Sequence, residues 1–453
     1  QASIGPAGTF PRRKIGGGGG NSGDKDMSMP FSRTTSPPGA QPGPEAPWPI
    51  RPISESEFPA YAHTFGEALL APDPFGLDHY RAVTEFDRTL AALDGDQIIG
   101  GTTVHSFTMT LPGGPRPVAG VSAVGVWPTH RRRGVLSALM RRQLADIRER
   151  GENVAALFAS EGAIYGRFGY GPASTMGFVT LHRSEGVLRP DAPRDPALRL
   201  RLSTPGESRR ELAIVHQAAA LQRVGEFQRN KDWWELLLRD APEHRGGYSA
   251  YKCAIVEDDA GPLGYALYRI QQHVDDHGVP ASKLWVVQHY ATAPAAHTLL
   301  WEHLFSRDLI GTISIDMVAP DDPLYHLLAD RYRARTVQGD GLWIRLVDLP
   351  GAVEQRSYAA PVDVVVEVAD RDCPWNAGRW RLTADTGAAR CCATEADPDI
   401  RLDVAHLGAA YLGGMTLGSY LAAGLITEET TGAVQRLDTA LNRSDEPHCG
   451  AIF

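Results

Sequence analysis

Apolar positions along this chain alternate between a period of two and a period near 3.6, and the switches mark out its elements. Thr89-Leu-Ala-Ala-Leu93, the polar Asp94-Gly-Asp96 and the run over 98–109 read as strand, turn and strand. A second strand pair ends at Val126. Leu136, Leu139, Met140, Leu144 and Ile147 then fall on one helical face, which predicts a helix over 134–150. A short buried strand is expected at 154–158, a short helix or turn at 161–168 and a strand at 177–181. The mixed stretch 54–70 is expected to be helical. Strand, helix and strand in this order predict a parallel pair with a ligand at the strand ends.

The same grammar returns over 191–342. Helices are expected at 211–224, 233–238 and 297–305, and strands at 251–256, 264–270, 284–289 and 312–317. After residue 342 the character changes. The β-branched run 362–368 and the segments 378–382 and 389–393 read as strands, and helices follow at 403–411, 417–422 and 430–440. Strands followed by helices indicate an α+β domain. The fold class is therefore α/β and α+β multidomain, in blocks 48–190, 191–342 and 343–453.

Residues 1–47 stand apart. Residues 16–20 are all glycine, and Pro37, Pro38, Pro42, Pro44 and Pro47 follow with few apolar neighbours. Such a segment cannot bury enough surface to offset its ordering entropy, so a disordered, tag-like tail is expected, with Met27 or Met29 as a native start. It lacks the apolar core of a secretory signal. The glycine run has no following Lys-Ser/Thr, which argues against a phosphate loop.

At 453 residues the chain is too long for one core, in line with the several blocks. A net charge of -9 argues against a nucleic-acid partner and favours cationic ligands. Its five cysteines include no Cys-x-x-Cys pair, which points to a reducing cytoplasm and no metal. No apolar run reaches membrane-spanning length, so no membrane partner is expected.

The strongest chemical signal is Arg131-Arg132-Arg133-Gly134, between a strand and an amphipathic helix. The first N–H groups of a helix lack partners and that end is partly positive, so three arginines there make an anion site suited to a diphosphate. The alternative is a solvated basic helix start behind a core strand. The second block has no such turn after a strand, as expected of a degenerate copy.

Val124-x-Val126 followed by Arg131-Arg132-x-Gly134 resembles the acetyl-CoA-binding signature of the GNAT superfamily of N-acetyltransferases. The longer Pro128-Thr-His-Arg-Arg-Arg-Gly134 and Ala159-Ser-Glu-Gly-Ala-Ile-Tyr-Gly-Arg-Phe-Gly-Tyr-Gly171 resemble the enhanced intracellular survival (Eis) acetyltransferases. The likeness continues in Gly341-Leu-Trp-Ile-Arg-Leu346 and Tyr411-Leu-Gly413 and covers nearly everything after residue 48. Leu136 stands where the broad superfamily has Gly or Ala, a feature the Eis-like sequences share. The resemblance implies two tandem GNAT folds, the second inactive, then a sterol carrier protein-like domain. It also implies a homo-hexamer, acetyl-CoA as co-substrate, and an acceptor amine on a polycationic small molecule such as an aminoglycoside, with lysine side chains a further class.

Roles follow from the resemblance residue by residue. Arg131, Arg132 and Gly134 anchor the cofactor, and the backbone of Val124 and Val126 receives its pantetheine arm as an added strand. Tyr165 is the general acid. A phenol with a reference pKa of about 10 and a thiol of about 8.5 make full proton transfer uphill by about 2 kcal/mol, so a hydrogen bond to the departing thiolate is its minimum role. Its alternative is a buried tyrosine packing a helix onto a sheet, and Tyr170 is a nearby rival read as structural. The general base is the α-carboxylate of Phe453, whose ring would dock and desolvate that end; its alternative is a frayed terminus. Glu67 sits near an acidic position of the family's substrate cleft, its alternative being a surface helix glutamate, and Ala123 replaces a larger aromatic there. Ile452 stands where a mycobacterial member has Glu, so a shifted substrate preference is implied. Other classes remain open: a lipid carrier using the last domain, or a regulator that binds coenzyme A without turnover.

Overall fold

The computed structural model describes residues 48–70, 77–385 and 387–453; the expected tail over 1–47 lies outside them. Among the described residues the strands form two seven-stranded sheets and a five-stranded sheet. The first sheet runs in the order Ile50–Pro52, Thr89–Asp94, Gln97–Leu111, Gly114–Val126, Val154–Phe158, Leu342–Leu346, Gly171–Pro172. Gln97–Leu111 and Gly114–Val126 form its long antiparallel hairpin. The helix Val135–Glu149 buries Val135, Leu139, Met140, Leu144 and Ile147, while Leu136, expected on that face, is half-buried at its edge. Met140, Leu144 and Ile147 pack with Val104, Val121 and Ala155 of the strands, and each such side chain contributes about 1.5–3 kcal/mol.

Val154–Phe158 returns parallel to Gly114–Val126, but the two pair only at Ala119 with Ala155 and Gly120 with Ala156. Beyond those pairs the strands part. The cause is a bulge: register slips between Gly101 and Thr103, and Ala123 takes φ 50°. Tyr61 pins the bulge, its buried hydroxyl lying 2.9 Å from both the Ala123 carbonyl and Thr103 Oγ1. Gly101 admits the ring, since a Cβ there would lie 2.3 Å from Tyr61 Cε2.

The second sheet repeats the unit. Its order is Arg335–Asp340, Thr175–His182, Ile310–Val318, Ser282–Ala291, Pro262–Gln271, Lys252–Glu257, Arg199–Ser203. The helix Pro294–Phe305 links its two parallel strands, Ser282–Ala291 and Ile310–Val318. The sheets exchange strands across the block boundaries: Thr175–His182 lies in the second sheet and Leu342–Leu346 in the first. The third sheet, Ala389–Ala393, Gly378–Ala384, Val362–Ala369, Ile400–Asp403, Thr427–Glu428, carries the helices Val404–Ala410, Leu417–Ala422 and Ala433–Leu441. It is tied to the first by Arg345, fully buried, whose guanidinium donates to both oxygens of Asp370 at 2.7 Å.

Three expected helices are trimmed by more than two residues. The stretch 54–70 is a short 3₁₀ turn, Glu55–Glu57, then the helix Phe58–Ala68, and the helix expected over 211–224 ends at Ala220. The helix expected over 430–440 starts at Ala433, after Gly432 at φ 81°. Arg199–Ser203 and Arg335–Asp340 are edge strands that the hydrophobic pattern does not reveal. Their arginines pair outward, Arg199 with Asp259 and Arg335 with Glu185, and such charges both protect a sheet edge and mask its alternation.

Candidate active site

The parted strands form the floor of the site. Trp127 N–H donates to Ile99 O at 2.8 Å, toward the hairpin partner. By alternation along a strand, the N–H groups of Val126 and Val124 face the other way, into the gap. The helix Phe58–Ala68 crosses this half of the strand: a Cβ on Gly125 would lie 2.9 Å from Ala68 Cβ and 3.3 Å from Phe65. Ala123 is half-buried at the bulge, and Glu67 is exposed at the end of the crossing helix.

At the far end of the strand the chain turns through Pro128–His130. His130 points inward, with its ring 5.6 Å from that of Trp48 and Nε2 3.2 Å from Asp94, so it is a turn residue. Arg132 and Gly134 then adopt φ 60° and 88°. A Cβ on Gly134 would meet nothing within 4 Å, so glycine is needed there for conformation alone. The helix Val135–Glu149 begins at once, and no side chain caps its first N–H groups. Arg131, Arg132 and Arg133 are all exposed. Arg131 Nη2 donates to Ala68 O at 2.8 Å, and the Arg133 guanidinium sits 4.9 Å from the centre of the Trp48 ring. Among the described residues none of the three forms an ion pair with a carboxylate. Uncapped N–H groups and free guanidinium charge on one curled loop are the donor set a diphosphate requires, so the site fits coenzyme A.

Tyr165 closes the short helix Gly162–Tyr165, just beyond the end of Val154–Phe158. It is 7% exposed and its ring meets that of Tyr170 edge-on at 6.2 Å. Burial, reinforced by Glu161 and partly countered by Ser160, pushes its phenol up to about 12. Tyr170 is fully buried, and its hydroxyl has no hydrogen-bond partner among the described residues. Phe453 is buried as well: its ring packs on Phe107 at 4.8 Å, Phe158 at 5.4 Å and Phe227 at 5.8 Å. Phe158 is the last residue of the strand that precedes Tyr165, so chain end and tyrosine flank the same strand end. Motif reading did not single out Glu226, Gln288 and Tyr290, which meet the terminal segment at Gly450. Nothing in their spacing could have revealed them, because the fold alone brings 226, 288 and 450 together.

Among the described residues no group of three or more His, Cys, Asp or Glu could hold a metal ion, and no helix is long and apolar enough to cross a membrane. The parallel pair that opens at a bulge and the basic turn at the next helix both lie within an N-acetyltransferase domain of the GNAT type. The profile of the acetyltransferase (GNAT) domain matches residues 49–173, a second acetyltransferase (GNAT) profile matches 225–346, and a sterol carrier protein domain matches 349–450. N-acetyltransferase Eis of Mycobacterium tuberculosis is 37% identical, over 78% of this chain and 85% of its own. An uncharacterized N-acetyltransferase of Streptomyces avermitilis is 40% identical, over 81% of this chain and 90% of its own. The crystal structure of Eis1 from Mycobacterium abscessus superposes with a TM-score of 0.77 at 33% identity, covering 89% of this chain and all of that one. The chain belongs to the Eis family of N-acetyltransferases: two GNAT folds and a sterol carrier protein fold.

Removing both Arg131 and Arg132 as alanines is expected to raise the KM for acetyl-CoA by about a hundredfold or more with kcat less affected, because charge-assisted hydrogen bonds contribute about 1.5–3 kcal/mol each. Steady-state kinetics with acetyl-CoA as the varied substrate check this; an unchanged KM refutes the diphosphate assignment.

Proposed function

We propose that this enzyme transfers acetyl groups to amines of polycationic small molecules, aminoglycosides among them. The observation that carries the reading is the parted strand pair, with Tyr165 in the short helix that follows its second strand and the buried ring of Phe453 packed on that strand's last residue, Phe158. Acetyl-CoA supplies the activated acyl group when bound. Arg131, Arg132 and the uncapped helix start hold its diphosphate. The gap-facing N–H groups of Val124 and Val126 align its arm and polarise the carbonyl. Tyr165 donates a hydrogen bond to the departing sulfur. The carboxylate carried by Phe453 takes a proton from the acceptor ammonium, which then attacks as the neutral amine. The rings of Phe107, Phe158 and Phe227 exclude water there, the direction that makes a carboxylate more basic. Glu67, at the rim, offers negative charge to a cationic acceptor, and the small Ala123 leaves width beside it.

The test is thiol release from acetyl-CoA in the presence of aminoglycosides, polyamines and lysine peptides. Aminoglycosides and polyamines are expected to stimulate release well above the acceptor-free rate. Release stimulated by lysine peptides alone refutes the small-molecule reading. No stimulation by any acceptor refutes the transferase reading as a whole.

A further inference from the structure

The second domain contains its own opened strand pair. Ser282–Ala291 and Ile310–Val318 are paired as far as Val286 with Ile315 and then part, and Met317 takes φ 53° at the opening. The connection to the following helix is only two residues, 292–293, and holds no arginine. No basic turn is left there to bind a diphosphate. Residues 287–291 and 316–317 instead line a cavity of about 260 Å³ whose wall includes His448 and Gly450 of the terminal segment.

We propose that this second cleft is a cradle for the chain's last residues, and that Glu226 and Gln288 are positioning residues that clamp Gly450 and thereby place Phe453. The inference rests on the reading that Phe453 supplies the base. Both backbone polar groups of Gly450 are held. Its N–H donates to Glu226 Oε1 at 2.8 Å, and its carbonyl accepts from Gln288 Nε2 at 3.1 Å. Glu226 is fully buried and also accepts from the Tyr290 hydroxyl at 2.6 Å. Gln288 is fixed in turn, its Oε1 accepting from Tyr265 at 2.8 Å and Arg229 at 3.0 Å. Further back, His448 N–H donates to Val224 O at 2.8 Å, and Arg223 Nη1 donates to Glu446 O at 2.9 Å.

Glycines permit the approach. A Cβ on Gly450 would lie 2.2 Å from the Tyr290 hydroxyl, and one on Gly225, at φ 97°, would lie 2.8 Å from His448 O. The clamp is also fastened to the first domain. Thr110 N–H donates to Glu226 O and Gln228 N–H to Thr108 O, both at 2.8 Å, so residues 226–228 run along the strand Gln97–Leu111. Phe227 then lies against both Phe107 and Phe453, at 4.3 and 5.8 Å. The first domain, the second domain and the chain end thus meet through one short segment. A positioned group needs this kind of support, because misplacement by about 1 Å can cost about a hundredfold in rate.

The test is Gly450→Ala, alone and with Tyr290→Phe, in the full chain. The added methyl collides with the hydroxyl and the second substitution removes that hydroxyl. Gly450→Ala is expected to lower kcat at least tenfold, leave the KM for acetyl-CoA within twofold, and speed carboxypeptidase release of Phe453 at least tenfold. The double variant should recover most of each change. Gln288→Glu keeps the acceptor that Tyr265 and Arg229 use but loses the donor to Gly450, so it should loosen the tail in the same direction. It carries the test if Gly450→Ala fails to fold. Unchanged release of Phe453 in these variants overturns the cradle. Faster release with an unchanged kcat upholds the cradle and instead removes the base from Phe453.

Discussion

Replacing Tyr165 with phenylalanine is expected to lower kcat by about 10²–10³-fold while leaving the KM for acetyl-CoA nearly constant. The size follows from its role. With the phenol pushed up to about 12, full proton transfer to a thiolate of reference pKa about 8.5 is uphill by about 5 kcal/mol. In the proposed reaction Tyr165 therefore serves as a hydrogen-bond donor to the developing negative charge, and loss of one such donor typically costs about 10²–10³ in kcat. Burial supplies both halves of this behaviour, since it raises the phenol and strengthens the bond it makes. The sign for pH is clear. A phenol held above its ordinary value stays protonated until pH approaches 12, so no alkaline loss of rate from Tyr165 is expected below about pH 11. Single-turnover thiol release, measured from pH 6 to 10 for both proteins, checks both points. A phenylalanine variant with wild-type kcat removes the role. Tyr170 offers a control: its hydroxyl is buried without a hydrogen-bond partner among the described residues, and its ring meets that of Tyr165 edge-on.

The same contrast between local and assembled features separates what the chain reveals from what it hides. The helix Val135–Glu149 and the basic turn before it are local: five apolar residues on one face, then Arg and Gly in sequence, so period and motif were enough to place them. The bulge that opens the strand pair is not local. It depends on Tyr61, Gly101, Thr103 and Ala123, which share no pattern and meet only once the helix Phe58–Ala68 lies across the sheet. Leu342–Leu346, in the sequence only part of a family motif, is a hydrophobic strand interrupted by Arg345. Only the buried Asp370, contributed by the following domain, explains why an arginine is tolerated at full burial. The strand exchange between the sheets was invisible for a similar reason, because pairing partners lie more than a hundred residues away. The support of the terminal segment is the extreme case, since Glu226 and Gln288 carry no motif at all.

Adding two glycines after Phe453 is expected to reduce kcat about a thousandfold, the largest effect of any change considered. A general base contributes about 10²–10⁴, and it must lie within about 2.6–3.2 Å of the proton it takes, or reach it through one water. Each added residue moves a terminal carboxylate by up to about 3.5 Å, so two residues carry it beyond either arrangement. Deleting Phe453 should be as harmful for the opposite reason: the carboxylate retreats to Ile452 and the cluster of Phe107, Phe158 and Phe227 loses the ring it encloses. Phe453→Leu separates the two effects. It keeps the carboxylate and part of the apolar packing, so a loss of only about tenfold is expected. Binding of acetyl-CoA, followed by calorimetry, should stay within a few-fold in all three, because the basic turn at 131–134 lies on a different element. If the extended protein releases thiol at the wild-type rate, the proton must leave the ammonium by another path. A water chain reaching the exposed Glu67 would then be the next group to examine, since it is the other carboxylate that the proposed function sets beside the acceptor.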